Sequence, residues 1–103
     1  MKKISILGST GSIGINTLDV VQRYPDQFEI VGLASGSNVD LFVQQIRTFK
    51  PKIASIFDPG KVEPLKEKLN GFPVELETGE EGSVKVATLE EADTVVSLSL
   101  IHI

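Results

Sequence analysis

The sequence contains one glycine-rich motif, Gly8-Ser9-Thr10-Gly11-Ser12-Ile13-Gly14. It follows the apolar run Ile4-Ser5-Ile6-Leu7, which is typical of a strand buried on both faces of a parallel sheet. In a dinucleotide site the first such glycine permits a sharp turn, the second lets the backbone approach the pyrophosphate, and the third lets a helix pack on the strand. The phosphates then meet free N–H groups at the positive end of that helix. We therefore predict a dinucleotide site, the alternative being glycines that serve only tight packing.

Apolar residues recur at spacings of three and four after this motif and predict two helices, which end before Pro25 and Pro51. Their apolar stripes are Ile13, Thr17, Val20, Val21 and Tyr24 in the first helix, and Val39, Phe42, Val43, Ile46 and Phe49 in the second. Strands are predicted at 4–7, 28–34, 53–57, 74–77 and 94–98, with the fourth near an edge. Shorter helices are predicted at 59–69, capped by Asp58 and ended by Asn70-Gly71, and at 80–86. This alternation predicts an α/β fold, a Rossmann-like parallel sheet with helices on both faces that is incomplete at the carboxyl end.

Length and composition restrict the possible classes of protein. The chain has 103 residues, enough for one domain, and contains no cysteine for a disulfide, a thiolate nucleophile or a cysteine-bound zinc. The net charge is −4 and the longest basic run is Lys2-Lys3, so we expect no nucleic-acid partner. Apolar runs are too short for a secretory signal or a membrane span, so we expect a cytoplasmic protein without a membrane partner.

The end of the second predicted strand indicates which cofactor binds. An NAD site usually has Asp or Glu there to hold the ribose 2′-hydroxyl, whereas this chain has Ala34-Ser35-Gly36-Ser37-Asn38. The absence of an acid avoids repulsion of a 2′-phosphate, to which Ser37 and Asn38 can donate hydrogen bonds. NADP is therefore favoured over NAD. Asn38 is also suited to capping the second helix, and the two roles are compatible.

Several stretches together resemble the 1-deoxy-D-xylulose 5-phosphate reductoisomerase family over residues 1–97. They are Ile6 to Gly14, Thr17-Leu18-Asp19-Val20-Val21, Phe28 to Gly36 with Asn38, Gly79-Glu80-Glu81-Gly82 and Val86-Ala87-Thr88. The resemblance implies that NADPH is bound by Thr10, Gly11, Ser12, Ile13, Gly36, Ser37 and Asn38, to which the glycine motif adds Gly8 and Gly14. Several relatives have Lys or Arg at the position of Ser37, so the chain departs from them at the expected 2′-phosphate site.

The same resemblance implies an enzyme of isoprenoid biosynthesis by the non-mevalonate pathway. The full-length enzyme rearranges the carbon skeleton of 1-deoxy-D-xylulose 5-phosphate and reduces it with NADPH to 2-C-methyl-D-erythritol 4-phosphate. A divalent metal, Mg²⁺ or Mn²⁺, and the small-molecule substrate are expected to bind downstream, in a homodimer. We accordingly expect no catalytic or metal-binding residue in this chain and no activity of the chain alone.

The family resemblance stops after Ser97, where an Ala/Gly-rich stretch is expected and Leu98-Ser99-Leu100-Ile101-His102-Ile103 stands instead. We expect a partial NADPH-binding domain at 1–97 and, at 98–103, a tail that is an artefact of adapter sequence. His102 has no partner in the sequence and is interpreted as incidental. Glu80-Glu81 and Glu90-Glu91 are interpreted as solvated surface charges, because adjacent helical positions face different ways.

Two other functions are compatible with a glycine-rich turn. A reductase of the extended short-chain type has similar glycine spacing, but it needs a Tyr-x-x-x-Lys pair, and Tyr24 is the only tyrosine, with Phe28 four residues later. A nucleotide-sensing module without catalytic activity would come with a DNA-binding or partner domain, and the sequence contains no such segment.

Overall fold

The structure, a computed structural model, describes residues 1–97, in which five strands alternate with four α-helices. In chain order the elements are β1 (Lys2–Leu7), α1 (Ser12–Arg23), β2 (Phe28–Ser35), α2 (Val39–Phe49), β3 (Ile53–Ile56), a 3-10 turn (Pro59–Lys61), α3 (Val62–Leu69), β4 (Glu75–Thr78), α4 (Gly79–Ala87) and β5 (Thr94–Ser97). Every predicted strand and helix is found, with shifted ends. Leu98, at the end of the fifth predicted strand, and the tail at 98–103 lie outside the described residues.

The five strands form one parallel sheet in the order β4-β3-β2-β1-β5. The first three crossovers all move in the same direction, so the right-handed rule puts α1, α2 and α3 on one face of the sheet. Helix α4 leads from β4 back to β5 and packs on the opposite face, against β1, β2 and β3. The prediction of a Rossmann-like parallel sheet with helices on both faces is therefore confirmed, and β4 lies at an edge as predicted.

The larger part of the core lies between the sheet and helices α1 to α3. Its buried members are Ile4, Ile6, Leu18, Val21, Ile30, Leu33, Phe42, Val43, Ile46, Ala54, Ile56, Leu65 and Leu69. On the other face, Val86 of α4 packs with Ala34 and Ile53. Gly82 brings α4 close to the sheet, because a β-carbon there would lie 2.1 Å from the Ser55 hydroxyl oxygen.

The apolar stripe predicted for α1 is correct at Val21 and wrong at Ile13, Val20 and Tyr24. The buried residues of this helix are Gly14, Leu18 and Val21, whereas Val20 and Tyr24 are about half exposed. The physical reason lies in Gly14, which packs directly against the turn after β1 and thereby fixes the rotation of the helix about its axis. The stripe predicted for α2 agrees with the structure.

The helix predicted from residue 59 begins as a 3-10 turn and becomes α-helical only at Val62. Asp58 caps this turn as expected, since its Oδ1 accepts a hydrogen bond of 2.9 Å from the N–H of Gly60. Asn70, in the left-handed conformation, ends α3 and confirms the predicted stop at Asn-Gly. No helix in residues 1–97 has both the length and the apolar character that crossing a membrane requires.

Candidate functional site

The glycine-rich loop joins the carboxyl end of β1 to the start of α1. Strand β1 pairs with β2 on one side and with β5 on the other, so the strand order reverses direction at β1. Open α/β sheets bind ligands in the crevice outside the carboxyl ends of the strands at such a reversal. The loop therefore occupies the position at which this fold class forms its binding sites.

The first and third glycines of the loop have the roles predicted for them. Gly8 adopts a positive φ of 85°, which favours glycine, and its N–H donates to the carbonyl of Ala34 at 2.8 Å. At Gly14 a β-carbon would lie 2.3 Å from the carbonyl oxygen of Gly8, so only glycine permits this approach of helix to strand. Gly11 is the N-cap of α1 with an ordinary φ of −83°, and its predicted role beside a pyrophosphate stays a prediction.

Four backbone N–H groups of this loop and of the first turn of α1 are left for a ligand. Within residues 1–97, the N–H groups of Thr10, Ser12, Ile13 and Gly14 donate no hydrogen bond to protein atoms. No side chain caps the helix, and its first turn contains no acidic residue. These donors coincide with the positive end of the helix dipole, and together they form an environment suited to an anion.

The second predicted loop lies beside the first. The hydroxyls of Thr10 and Ser35 are 2.8 Å apart, which joins the glycine-rich loop to the end of β2. A hydroxyl can donate one hydrogen bond and accept others, so this contact leaves the binding of NADPH by Thr10 a prediction. Gly36 and Ser37 follow directly and are exposed, as is Ser12 of the first loop. The structure thus brings the two predicted groups of site residues together at one edge of the sheet.

Asn38 caps α2 as predicted, since its Oδ1 accepts a hydrogen bond of 3.3 Å from the N–H of Leu41. The Nδ2 group of Asn38 has no partner within the part of the chain that the structure describes. The cap uses only the oxygen, so the same amide can donate a hydrogen bond to an anion. Capping and phosphate contact are therefore geometrically compatible.

Two acidic residues adjoin this second loop; Asp58 was predicted only as a helix cap, and Asp40 was not considered from the sequence. Asp40 stands in the first turn of α2, and its Oδ1 lies 3.0 Å from the Nζ of Lys68. The backbone N–H of Asp58 donates to the carbonyl of Gly36 at 3.1 Å, while its side chain caps the following turn. The ion pair with Lys68 partly compensates the negative charge of Asp40, and the Asp58 carboxylate accepts a hydrogen bond from the N–H of Gly60. Both interactions reduce the repulsion of an anion at Ser37.

Gln45 of α2 makes a further contact with the glycine-rich loop that was not predicted from the sequence. Its Nε2 donates a hydrogen bond of 2.8 Å to the carbonyl oxygen of Ser9, and both residues are buried. The available signal was a polar residue within an apolar stripe, between Phe42 and Ile46. Such a residue indicates a tertiary hydrogen bond without identifying its partner.

The charged groups with shifted pKa values lie elsewhere. Lys85 of α4 donates to Glu77 and Glu75 of β4, and the hydrogen bond from Lys85 holds the pKa of the Glu77 carboxyl below its usual value. Lys52 and Glu91 form another ion pair, in which the hydrogen bond raises the pKa of the lysine and lowers that of the glutamate. Glu91 therefore has a partner, contrary to its interpretation as simply solvated charge.

Glu80 and Glu81 are exposed, as expected of surface charge. In the described part of the chain, no group of three or more His, Cys, Asp or Glu side chains is arranged to hold a metal ion. His102 lies outside the described residues.

Comparison with known proteins gives consistent results. A family model described as 1-deoxy-D-xylulose 5-phosphate reductoisomerase matches residues 4–100. The enzyme of that name from Acaryochloris marina is 50% identical over 99 residues, which cover 94% of this chain and 25% of that protein. The chloroplastic enzyme of Mentha piperita is 50% identical over 98 residues, covering 93% of this chain and 21% of the relative. The chain thus spans about a quarter of the length of these relatives.

Solved structures agree in fold. The reductoisomerase of Zymomonas mobilis in complex with NADPH superposes with a TM-score of 0.85 at 34% identity, over 91% of this chain and 24% of the other. A DOX-P reductoisomerase in complex with NADPH, fosmidomycin and magnesium gives a TM-score of 0.86 at 31% identity, over 92% and 24%.

Proposed function

Since the chain belongs to the 1-deoxy-D-xylulose 5-phosphate reductoisomerase family, we propose that residues 1–97 form a partial NADPH-binding domain. The observation that carries this proposal is the group of four N–H donors at the start of α1, beside the reversal of strand order. A pyrophosphate fits these donors because a helix amino terminus attracts anions and offers unpaired N–H groups. Gly14 supports the same interpretation, since its missing side chain holds the helix end close to the strand.

The second loop is proposed to bind the 2′-phosphate that distinguishes NADPH from NADH. Ser37 and Asn38 are exposed and uncharged, and the free Nδ2 of Asn38 is a suitable donor. Relatives solved with NADPH support this choice of cofactor. The complete proposed set is Gly8, Thr10, Gly11, Ser12, Ile13, Gly14, Gly36, Ser37 and Asn38. NADPH supplies a hydride when bound, and these residues bind and orient it.

The reaction itself is proposed for the protein as a whole, because the chain spans only a quarter of its relatives. It is the conversion of 1-deoxy-D-xylulose 5-phosphate to 2-C-methyl-D-erythritol 4-phosphate, with Mg²⁺ or Mn²⁺ bound by residues beyond this stretch. Relatives solved with magnesium and with fosmidomycin support a metal and a small-molecule substrate. We further propose a cytoplasmic homodimer without nucleic-acid or membrane partners, in keeping with the absence of basic clusters and long apolar runs from the sequence.

Family membership favours this function over the alternatives of a short-chain type reductase and a nucleotide-sensing module. The two relatives described above are each 50% identical to this chain over more than nine tenths of its length, and both are named 1-deoxy-D-xylulose 5-phosphate reductoisomerase. Neither alternative is favoured by an observation in residues 1–97.

Cofactor selectivity tests the proposal. In thermal denaturation of the chain, NADPH should stabilise the fold by about 2.7 kcal/mol at a hundred times its dissociation constant. NADH should bind about tenfold more weakly, because one hydrogen bond to a charged phosphate is worth roughly 1.5 kcal/mol. Ser37→Asp should weaken NADPH binding and leave NADH binding unchanged, since only NADPH has a 2′-phosphate to repel.

The control for this experiment is Gly11→Val. The backbone at Gly11 has φ −83° and ψ 173°, which valine adopts without strain, so the variant should fold. It should nevertheless respond to neither cofactor, because its side chain occupies the space of the pyrophosphate. Equal thermal shifts with NADH and NADPH in the unmodified chain would contradict the proposed role of Ser37 and Asn38.

A further inference from the structure

A buried amide joins the middle of α2 to the glycine-rich loop. Gln45 is only 6% exposed, and its Nε2 donates a hydrogen bond of 2.8 Å to the carbonyl oxygen of Ser9. Ser9 is fully buried, although it lies in a loop at the edge of the sheet. Thirty-six positions separate the two residues, so the bond belongs to the tertiary structure and not to a local turn.

The stability of α2 does not account for this glutamine. Its Oε1 is buried without a hydrogen-bond partner among the described residues, and the desolvation of that atom opposes folding. Its buried neighbours on the helix, Phe42, Val43 and Ile46, are all apolar. A methionine or leucine would fill the same space without an unpaired polar atom, so the amide contributes through its one hydrogen bond, to Ser9.

That hydrogen bond fixes the direction of one peptide group in the loop. The peptide between Ser9 and Thr10 is planar and trans, so its carbonyl oxygen and its N–H point in opposite directions. With the carbonyl held toward Gln45, the N–H of Thr10 is directed away from α2. This N–H is one of the four donors that have no partner within residues 1–97.

We propose that Gln45 is a positioning residue for the pyrophosphate of the cofactor, acting through the Ser9–Thr10 peptide group. The inference rests on the proposed function, because it takes NADPH to be the ligand of the loop. Helix α2 thereby determines both halves of the site, since Asn38 at its amino end belongs to the 2′-phosphate loop and Gln45 orients the glycine-rich loop. The distance between the two anion sites is set by one rigid element.

The test replaces Gln45 with methionine, which has nearly the same length and no hydrogen-bonding amide. The matched control is Gln44→Met, because Gln44 is the neighbouring residue on the same helix and is exposed. Leu65→Ala on α3 serves as a second control that lowers overall stability at a buried site distant from the loop. The dissociation constants for NADPH and NADH are measured for each folded variant.

Gln45→Met should raise both dissociation constants about tenfold, the effect of losing one well-placed donor. Both cofactors should be affected alike, because they share the pyrophosphate. Gln44→Met and Leu65→Ala should leave the dissociation constants of the folded molecules unchanged. Unchanged constants in Gln45→Met would overturn the inference.

A second measurement does not depend on cofactor binding. The N–H groups of Gly8 and Ser9 donate to the carbonyl of Ala34, so their exchange with solvent reports on the loop. In Gln45→Met without cofactor, these two amides should exchange about tenfold faster relative to those of β3. If amide exchange in Gln45→Met were accelerated evenly over the whole sheet, as expected for Leu65→Ala, Gln45 would contribute only to overall stability and would not position the loop.

Gln45→Glu provides a further variant should the methionine variant fail to fold. A neutral carboxyl can donate to the Ser9 carbonyl and a carboxylate cannot, so affinity for NADH should fall as pH rises through the pKa of the introduced group. Gln44→Glu should show no such dependence. If the unmodified chain binds neither cofactor, the proposed function fails, while amide exchange still decides whether Gln45 holds the loop.

Discussion

Gly14 is the residue at which the contact between α1 and β1 is closest. A β-carbon built on it would lie 2.3 Å from the carbonyl oxygen of Gly8 and 2.7 Å from the α-carbon of Ser9. Both neighbours are backbone atoms, so they cannot move aside without displacing the loop. The side chain that Gly14 lacks therefore determines how near the helix end, with its free N–H groups, approaches the strand.

Gly14→Ala should consequently destabilise the chain by about 1–3 kcal/mol, the usual cost of overpacking. It should also weaken NADPH binding, because the start of α1 is displaced from the loop. The matched control is Gly36→Ala, where a β-carbon would meet no atom within 4 Å. Urea denaturation without NADPH measures the loss of stability, and its repetition with NADPH measures the loss of binding. Equal stability of Gly14→Ala and Gly36→Ala would contradict the close packing described for Gly14.

The individual residues of the site were only partly predictable. The turn at Gly8, the close packing at Gly14 and the cap at Asn38 were predicted correctly, because the glycine spacing and the position after a strand are local signals. Binding of a phosphate by Ser37 stays a prediction. Ser35 and Gln45 were missed, because each acts through a tertiary hydrogen bond that no local pattern encodes.

At the scale of elements, ion pairs join α4 to β4. The Nζ of Lys85 lies 3.2 Å from Glu77 and 3.5 Å from Glu75, two residues that share one face of the strand. The hydrogen bond with Glu77 raises the pKa of Lys85 and lowers that of the Glu77 carboxyl below 4.5. A lowered carboxyl pKa stabilises the fold above the ordinary value of 4.5, and this contribution is lost as pH falls through the lowered value.

Lys85→Met should therefore reduce thermal stability near neutral pH by a small amount, since Lys85 and Glu75 are exposed to solvent and Glu77 is partly exposed. The difference in melting temperature from the unmodified chain should shrink as pH falls from 4.5 through the lowered pKa of Glu77, because the carboxyl is then protonated in both proteins. Lys61→Met is the control, because Lys61 makes no ion pair within the part of the chain that is described. A difference that stays constant with pH would exclude the ion pair as its cause.

The order of the strands and helices was easier to predict from the sequence than the buried face of each helix. Strand and helix order followed from apolar runs and from Pro25, Pro51 and Asn70, which act through the local backbone. The inward face of α1 was predicted correctly only at Val21, because exposed apolar residues such as Ile13 and Val20 produce the same periodicity as buried ones. Only the contact of Gly14 with the turn decides between the two faces, and that contact is tertiary.

At the scale of the whole molecule, the site depends on the order of the strands. The parallel arrangement puts the carboxyl ends of β1, β2 and β3 at one edge of the sheet, where both predicted loops lie. The opposite edge carries an apolar groove lined by Val21, Phe28 and Phe49 among others. We assign NADPH to the first edge, at the carboxyl ends of the strands, and not to this groove.

Titration of the nitrogen-15 labelled chain with NADPH, followed by amide chemical shifts, tests this assignment most directly. The measurement resolves individual residues and therefore separates the two edges of the sheet. We expect saturable shifts at residues 8–14 and 36–38 that fit one dissociation constant. Saturable shifts confined to the groove around Val21, Phe28 and Phe49, or no shifts in a folded sample, would contradict it.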